Sequence, residues 1–372
     1  MKVFNGRTMA RRERTYTPRI RTTRPLGSSL TSNSPPSTPI ESPKLLDGQW
    51  YLPAPLSQRL HQKSGLGTLT RDGGVFLTPE EIMFCHWYRH VPLPQGDGWV
   101  SEQMEHDSSF LSKSIAMDIM RNGGEIVVPS VHLRQRFPNL PSATWAMRWE
   151  RHLSWKKEQA FSQIRVHHTN DYLDWYELNQ WVVDVIDQGQ IPELCIMDDE
   201  LDVTVYCLSH VWPEGNQQKL EDLSDSQNIE IQKLLNDGVA SEDGHFISGE
   251  ETWPLPAIGV PHLSGRYLRF EEFELLSGRP VTDSLYATLI HHGLLLRPGF
   301  KYGCQWRAYE KEIEAEHAPW LIQPIEFAAT SWEGVCLAVR LAEGVNKRWL
   351  CALRPQDEWM FLNIQRSVHS KS

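Results

Sequence analysis

The sequence predicts an α+β (mixed α/β) chain made of a tandem duplicated unit, each copy a small helical subdomain followed by a mixed β-sheet subdomain. Two observations carry that reading. An amphipathic helix, a glycine turn and a short strand follow one another in SFLSKSIAMDIMRNGGEIVVPS and again in PVTDSLYATLIHHGLLLRPGF, with Gly123 opposite Gly293. Farther along each copy, DWYELNQWVVDVIDQGQIPELCIMDDELDVTVYCL is echoed by TSWEGVCLAVRLAEGVNKRWLCALRPQDEWMFLNI, a helix and then two strands. One such match could be chance; the ordered series reads as duplication.

Taken in order, residues 1–45 combine arginines (Arg11, Arg12, Arg14, Arg19, Arg21, Arg24) with the stretch SSLTSNSPPSTPIESP. Such a segment cannot bury apolar area, so a disordered tail is expected. It reads equally as a nuclear-targeting or RNA-tethering arm and as a solvated tail with no specific role. The first unit, 46–213, opens with the helical pattern TPEEIMFCHWYRH. Its later helix has a capping box, Asp174 with Glu177, and stops near Gly189 before the strands LCIM and VTVYCL. An acidic linker is expected over 214–261, with one short helix at IEIQKLLND. The second unit, 262–372, opens with RFEEFELLSG; its later helix pairs Thr330 with Glu333 and stops near Gly344 before LCAL and WMFLNI.

Composition narrows the function classes. Apolar residues make up 40% of the 372, enough for real cores. The cysteines Cys85, Cys195, Cys207, Cys304, Cys336 and Cys351 stand alone, which argues for a reducing compartment and against a disulfide framework or a zinc site. No apolar run is long enough to span a bilayer, and no apolar leader follows Met1, so an intracellular chain with no membrane partner is expected. The net charge of -10 sits awkwardly with nucleic-acid binding, which Lys and Arg largely drive. From Gly293 onward, however, the two signs nearly balance, and the bases gather in one region.

That region reads GFKYGCQWRAYEKEIEAEHAPWLIQ and then AVRLAEGVNKRWLCAL. FKYG, WRAYE, EH and WLIQ, followed by a helix and VNK, resemble the catalytic domain of the tRNA-splicing endonuclease family. The likeness is specific over roughly the last eighty residues and covers the first copy only in outline. It implies a nuclease-like sheet, a catalytic triad of Tyr309, His317 and Lys347, and no cofactor or metal. It further implies lyase-type transesterification at the exon–intron junctions of precursor tRNA, recognised through bulged single-stranded bases, with no DNA partner.

The chemistry asks for these residue types. Cleaving RNA with its own 2′-OH needs a base for that hydroxyl, an acid for the 5′-oxygen and a cation for the crowded phosphorane. Histidine, with a reference pKa near 6.5, gives or takes a proton at neutral pH. Lysine supplies charge where the transition state gains negative charge. Tyrosine, with a pKa of about 10, becomes a base only beside cations. The resemblance assigns Tyr309 to the 2′-OH and His317 to the leaving oxygen, although the residue types alone allow the reverse. The products would be a 2′,3′-cyclic phosphate and a 5′-OH. The loop between Tyr309 and His317 is shorter than in many archaeal members.

Four other residues are candidate substrate contacts. Arg340, two helical turns before Lys347, matches a family arginine that stacks on a bulged base, with Trp359 as its aromatic partner; Arg307 and Arg348 could meet phosphate. The pairs His167–His168 and His291–His292 read as turn residues rather than ligands. Matching LCIM to LCAL puts Ile191 where Lys347 stands, so the first unit is expected to be non-catalytic. Its acidic hairpin Asp198, Asp199 and Glu200 resembles the family's interface loop, which plugs a basic cleft of a catalytic unit, and reads equally as a plain polar turn. A homodimer in the nucleus is the expected assembly and place, since two such chains supply the four units the family needs. The alternatives are a non-catalytic RNA-binding or structural subunit of a heteromeric enzyme, and a metal-dependent nuclease. The latter would want paired acids near a lysine, which the second unit does not display.

Overall fold

A computed structural model describes residues 40–96, 98–248, 253–262, 264–278, 284–313 and 317–367. The fold is a mixed α+β architecture built on a ten-stranded sheet flanked by two four-stranded ones. The first small sheet holds β1 (Lys44–Leu46), β2 (Gln49–Leu52), β3 (Thr68–Leu69) and β4 (Val75–Leu77) around helix α1 (Gln58–Ser64). Helices α2 (Pro79–Arg89), α3 (Gly98–His106) and α4 (Phe110–Arg121) lead into β5 (Ile126–Pro129), β6 (Ala146–Trp149) and β7 (Ser162–His168). Helix α5 (Trp175–Asp187) crosses over to β8 (Ile191–Met197) and β9 (Val203–His210).

The second half follows a similar order, with its helix ahead of the small sheet and two described helices rather than three before the large-sheet strands. After helix α6 (Asp225–Asp237) come β10 (Val239–Ser241), β11 (Gly244–Ser248), β12 (Val260–His262) and β13 (Gly265–Arg269). Helices α7 (Phe270–Leu276) and α8 (Leu285–His291) then precede β14 (Leu295–Pro298), β15 (Trp306–Tyr309) and β16 (Trp320–Pro324). Helix α9 (Trp332–Gly344) crosses to β17 (Arg348–Leu353) and β18 (Met360–Arg366).

The small sheets run β1-β2-β4-β3 and β10-β11-β13-β12; the large one runs β14-β15-β16-β17-β18-β9-β8-β7-β6-β5. In each half the third and fourth large-sheet strands are parallel and their neighbours antiparallel. A parallel pair needs a helical crossover, which α5 and α9 provide. The halves join where β9 pairs antiparallel with β18, His210 opposite Leu362, and again where Leu173 N donates to Thr330 O at 2.8 Å.

Alternation along the strands decides the layers. Leu321, Trp349, Cys351 and Leu353 face α5 and α9, whose Trp175, Trp181, Trp332, Val335 and Val339 fill one shared core. Ile322, Leu350 and Ala352 face the opposite side, against Leu276, Leu285 and Leu289 of the small subdomain. The first half does the same with Ala146, Ile164 and Cys195 beneath α2 and α4. Burying one Leu or Ile side chain is worth about 1.5–3 kcal/mol, so these two layers are the main reason the strands stay in register.

Several expectations need correction. The small subdomains are not merely helical: each carries a four-stranded sheet, whose strands of two to five residues are too short to show a period. The stretch expected as a linker, 214–261, holds α6, β10, β11 and the start of β12, because its apolar Ile231, Leu235 and Ile247 find a core. Chain order begins before residue 45, with Ile40 packed on the first core and β1 starting at Lys44; the arginines of the tail lie outside the described residues. The α9 cap is Ser331 rather than Thr330, with no side-chain bond, whereas Asp174 accepts from Tyr176 N and Glu177 N on α5. The left-handed glycine expected after α5 is present at Gly189, whereas after α9 the left-handed residue is Asn346 rather than Gly344.

Candidate active site

Register, rather than sequence proximity, gathers the site. Ala308 pairs with Trp320, and Trp320 pairs with Arg348. Tyr309, the segment before Trp320 and Lys347 therefore share one end of three neighbouring strands, which lie about 4.8 Å apart in a sheet. Tyr309 ends β15 opposite Leu295 and is buried beside Leu295 and Ala318. His317 is exposed and directly precedes buried Ala318; residues 314–316, in the short loop before it, lie outside the described residues.

Lys347 sits between α9 and β17. Its N–H donates to Ala342 O at 2.9 Å, and the left-handed Asn346 turns the chain to make that possible. Its Nζ donates to the carbonyl of Ala318 at 2.5 Å, which ties the ammonium to the residue next to His317. Burial, and then the charge of Arg307, hold Lys347 below the ordinary lysine range. Arg307 donates from Nε to Pro298 O at 3.1 Å and holds its guanidinium 5.9 Å from the Tyr309 ring centre. The neighbouring strand edge is clamped from outside. Asn216 N donates to the carbonyl of Glu310, and a Cβ on Gly215 would sit 2.2 Å from Gly293 O, a place only glycine fits.

The remaining predicted residues scatter. Arg348 is exposed, with its guanidinium 5.4 Å from the Trp320 ring. Arg340 is exposed on α9, while Trp359 packs on the opposite face of the sheet with Arg354 5.9 Å away; within one chain the two do not meet. Asp198 folds its own hairpin, accepting from Glu200 N at 3.0 Å and Asp202 N at 2.9 Å. Asp199 is four-fifths exposed and lies 3.4 Å from both Asn170 Nδ2 and His168 Nε2; Glu200 is exposed. Among the described residues no group of three histidine, cysteine or carboxylate side chains could hold a metal ion. No described helix is long and apolar enough to cross a membrane.

Sequence reasoning missed Tyr302, although it lies in the FKYG motif. Its ring centre is 5.8 Å from the Arg307 guanidinium and 5.7 Å from Lys347 Nζ.

The same place in the first half can be located through matching backbone bonds. Gln190 N donates to Val185 O, and Ile191 N to Phe161 O, as Lys347 N does to Ala342 O and Arg348 N to Pro319 O. Gln190, not Ile191, therefore stands at the Lys347 position; a one-residue difference between the helix-to-strand turn and the LCIM/LCAL match caused the slip. Gln190 Nε2 even donates to Ala160 O at 3.0 Å, as Lys347 does to Ala318 O. Strand pairing puts Trp149 at Tyr309, Met147 at Arg307 and Val128 at Arg297. Counting back along β7 puts Gln159 at His317.

Comparison with known proteins decides what this end of the sheet is. Residues 284–359 match the family model described as tRNA intron endonuclease, catalytic C-terminal domain. These residues are a tRNA intron endonuclease catalytic domain. The matched residues run from α8 to the residue before β18 and include Tyr309, His317 and Lys347. The chain is also similar to the tRNA-splicing endonuclease of Thermoplasma volcanium, 26% identical over 46% of this chain and 54% of that one. The protein of that name from Methanosarcina barkeri is 27% identical over 47% of this chain and 58% of its own. The one from Hyperthermus butylicus is 31% identical over 35% and 65%. The chain spans a little over half the length of the first two relatives.

Proposed function

We propose that this chain is a tRNA-splicing endonuclease that excises introns from precursor tRNA. The observation that carries the reading is the bond from Lys347 Nζ to the carbonyl of Ala318 at the strand end where Tyr309 stops. It puts a desolvated cation one residue from the imidazole and one strand from the phenol. Tyr309 takes the 2′-OH proton, aided by the cations beside it. His317 protonates the departing 5′-oxygen. Lys347 neutralises the phosphorane, at a buried place where a fixed charge acts most strongly. The products are a 2′,3′-cyclic phosphate and a 5′-OH, and no metal or cofactor takes part. Arg307, Arg348, Arg340 and Trp359 are assigned to the RNA.

We read the chain as a tandem duplication with a silent unit at 46–213 and a cleaving unit at 262–372; the matching strand order and pairing sense of the two halves support this. Two chains pair as a homodimer in which Asp198, Asp199 and Glu200 enter the basic cleft of the other copy. Nuclear residence rests on the arginine-rich arm and on the family resemblance, and the named relatives are archaeal.

The test is incubation with intron-containing precursor tRNA in EDTA. Wild type is expected to release the intron with cyclic phosphate ends, and His317→Ala and Lys347→Ala to lose that activity. Cleavage abolished by EDTA, or undiminished in both variants, would overturn the mechanism. Light scattering on the purified chain reads the assembly, and a monomer would remove the homodimer.

A further inference from the structure

We propose that Tyr302 is a positioning residue of the catalytic domain, its ring standing between the Arg307 guanidinium and the Lys347 ammonium and holding both cations toward the reacting phosphate. The inference rests on the cleavage reading above for its purpose, and on geometry for its existence. Tyr302 ends a single helical turn, Phe300–Tyr302, in which its N–H donates to Gly299 O at 2.8 Å and Gly303 takes a left-handed conformation. This turn delivers the half-buried ring 5.8 Å from Arg307 and 5.7 Å from Lys347. Two like charges brought this close repel, and among the described residues neither pairs with a carboxylate. The negative faces of Tyr302 and Tyr309 are the surface these cations meet instead.

The first half supplies an internal control. There Leu133 occupies the Tyr302 position, its N–H donating to Ser130 O at 2.9 Å after the equivalent turn. The cation positions are Met147 and Gln190, and Leu133 packs with Met147 and Trp149 in a small apolar cluster. The ring is present where the cations are present and missing where they are missing. A ring needed only for packing has no reason to follow charge.

The experiment compares Tyr302→Phe, which keeps the ring, with Tyr302→Leu, which copies a residue the same turn already accepts, and with Tyr302→Met as a second ringless variant. Three readouts are taken on the full chain: single-turnover cleavage, affinity for the RNA, and titration of Lys347 by trace acetylation with mass spectrometry. The charged groups around Lys347 are Arg307 on β15, His317 beside Ala318, and Arg348 one residue on; Glu343 of α9 is turned to Arg366. A ring that favours the ammonium form raises its titration, so the ringless variants should titrate at lower pH.

The expected result is a roughly ten- to thirtyfold slower rate in Tyr302→Leu and Tyr302→Met at unchanged RNA affinity, with Tyr302→Phe within about threefold of wild type. Only the ringless variants should shift Lys347. Wild-type rate in the ringless variants, an unmoved Lys347 titration, or equal damage from Tyr302→Phe would each overturn the proposal. If wild type itself cleaves no precursor tRNA, the cleavage reading fails, while the Lys347 titration still reports whether the ring holds the cation.

Discussion

Where the second half places Arg297, Tyr302, Arg307, Tyr309 and Lys347, the first half places Val128, Leu133, Met147, Trp149 and Gln190. The backbone bonds around the two places are alike, down to a side chain donating to the carbonyl of Ala160 or Ala318. The scaffold therefore does not need the cations: an apolar cluster and an amide fill the space equally well. Buried like charges cost stability. Arg297 is tied to the carbonyls of Ala257 and Gly259, but the presence of Arg307 and Lys347 in one half only indicates that something other than folding requires them there.

The reverse difference sits on the other face of the sheet. The first half buries Arg148 against Glu193 and Ser162, with Arg148 Nε donating to Glu193 Oε2 at 2.9 Å. The second half has Ala308, Leu350 and Trp320 at those positions, part of an ordinary apolar core. An ion pair in the half that lacks Tyr309, His317 and Lys347 is a structural element, and its removal should be felt as stability rather than as rate.

The largest effect expected from breaking this comparison is Lys347→Gln, which gives the second half the residue of the first. Cleavage should fall by about a hundredfold or more, while the thermal midpoint stays close to wild type because the amide can reach Ala318 O as Gln190 reaches Ala160 O. Rapid-quench cleavage and calorimetry read the two quantities. Next is Glu193→Ala, which leaves buried Arg148 with Glu125 as its remaining carboxylate, 3.3 Å from Nη1, and should cost about 3 kcal/mol in urea unfolding. Arg148→Met combined with Glu193→Leu, which imitates the apolar second half, should recover most of that loss.

A smaller asymmetry lies at the crossover helices. Asp174→Ala removes the carboxylate oxygen that accepts from two N–H groups and should cost about 1 kcal/mol, whereas Ser331→Ala, at a cap with no side-chain bond, should cost almost nothing. Equal losses in denaturant titrations would erase that distinction.

The smallest expected effect concerns pH. A buried carboxylate caps one helix in each half, Glu81 on α2 bonded to His132 at 2.8 Å and Glu272 on α7 to Arg269 at 2.7 Å. Burial draws His132 down, but the charge and hydrogen bond of Glu81 outweigh it, so the imidazole titrates above its ordinary value. Its contribution is then fully present below the unfolded value near 6.5 and is lost as pH rises through the folded one. Thermal midpoints should drift down over that window in wild type and not in His132→Gln. Arg269 does not titrate there, so the drift belongs to the first half alone.

Residue patterns alone made much of this legible. The helices at 110–121 and 175–187 and the strand pairs after α5 and α9 follow from apolar spacing, because a half-buried helix or strand must place its apolar residues at a fixed period. Tyr309, His317 and Lys347 were singled out because the short motifs around them resemble one family, and their types suit the chemistry that family implies. The small sheets were not legible, since two- and three-residue strands carry no period. Nor was the match of Gln190 to Lys347, which depends on how many residues the turn between helix and strand consumes. Pairing register decided that Tyr309, Ala318 and Lys347 share one end of the sheet, while the tertiary fold brought the Tyr302 ring to 5.8 and 5.7 Å from two cations and set Trp359 across the sheet from Arg340. A sequence lists which side chains are available, but hydrogen bonds between distant strands set which of them become neighbours.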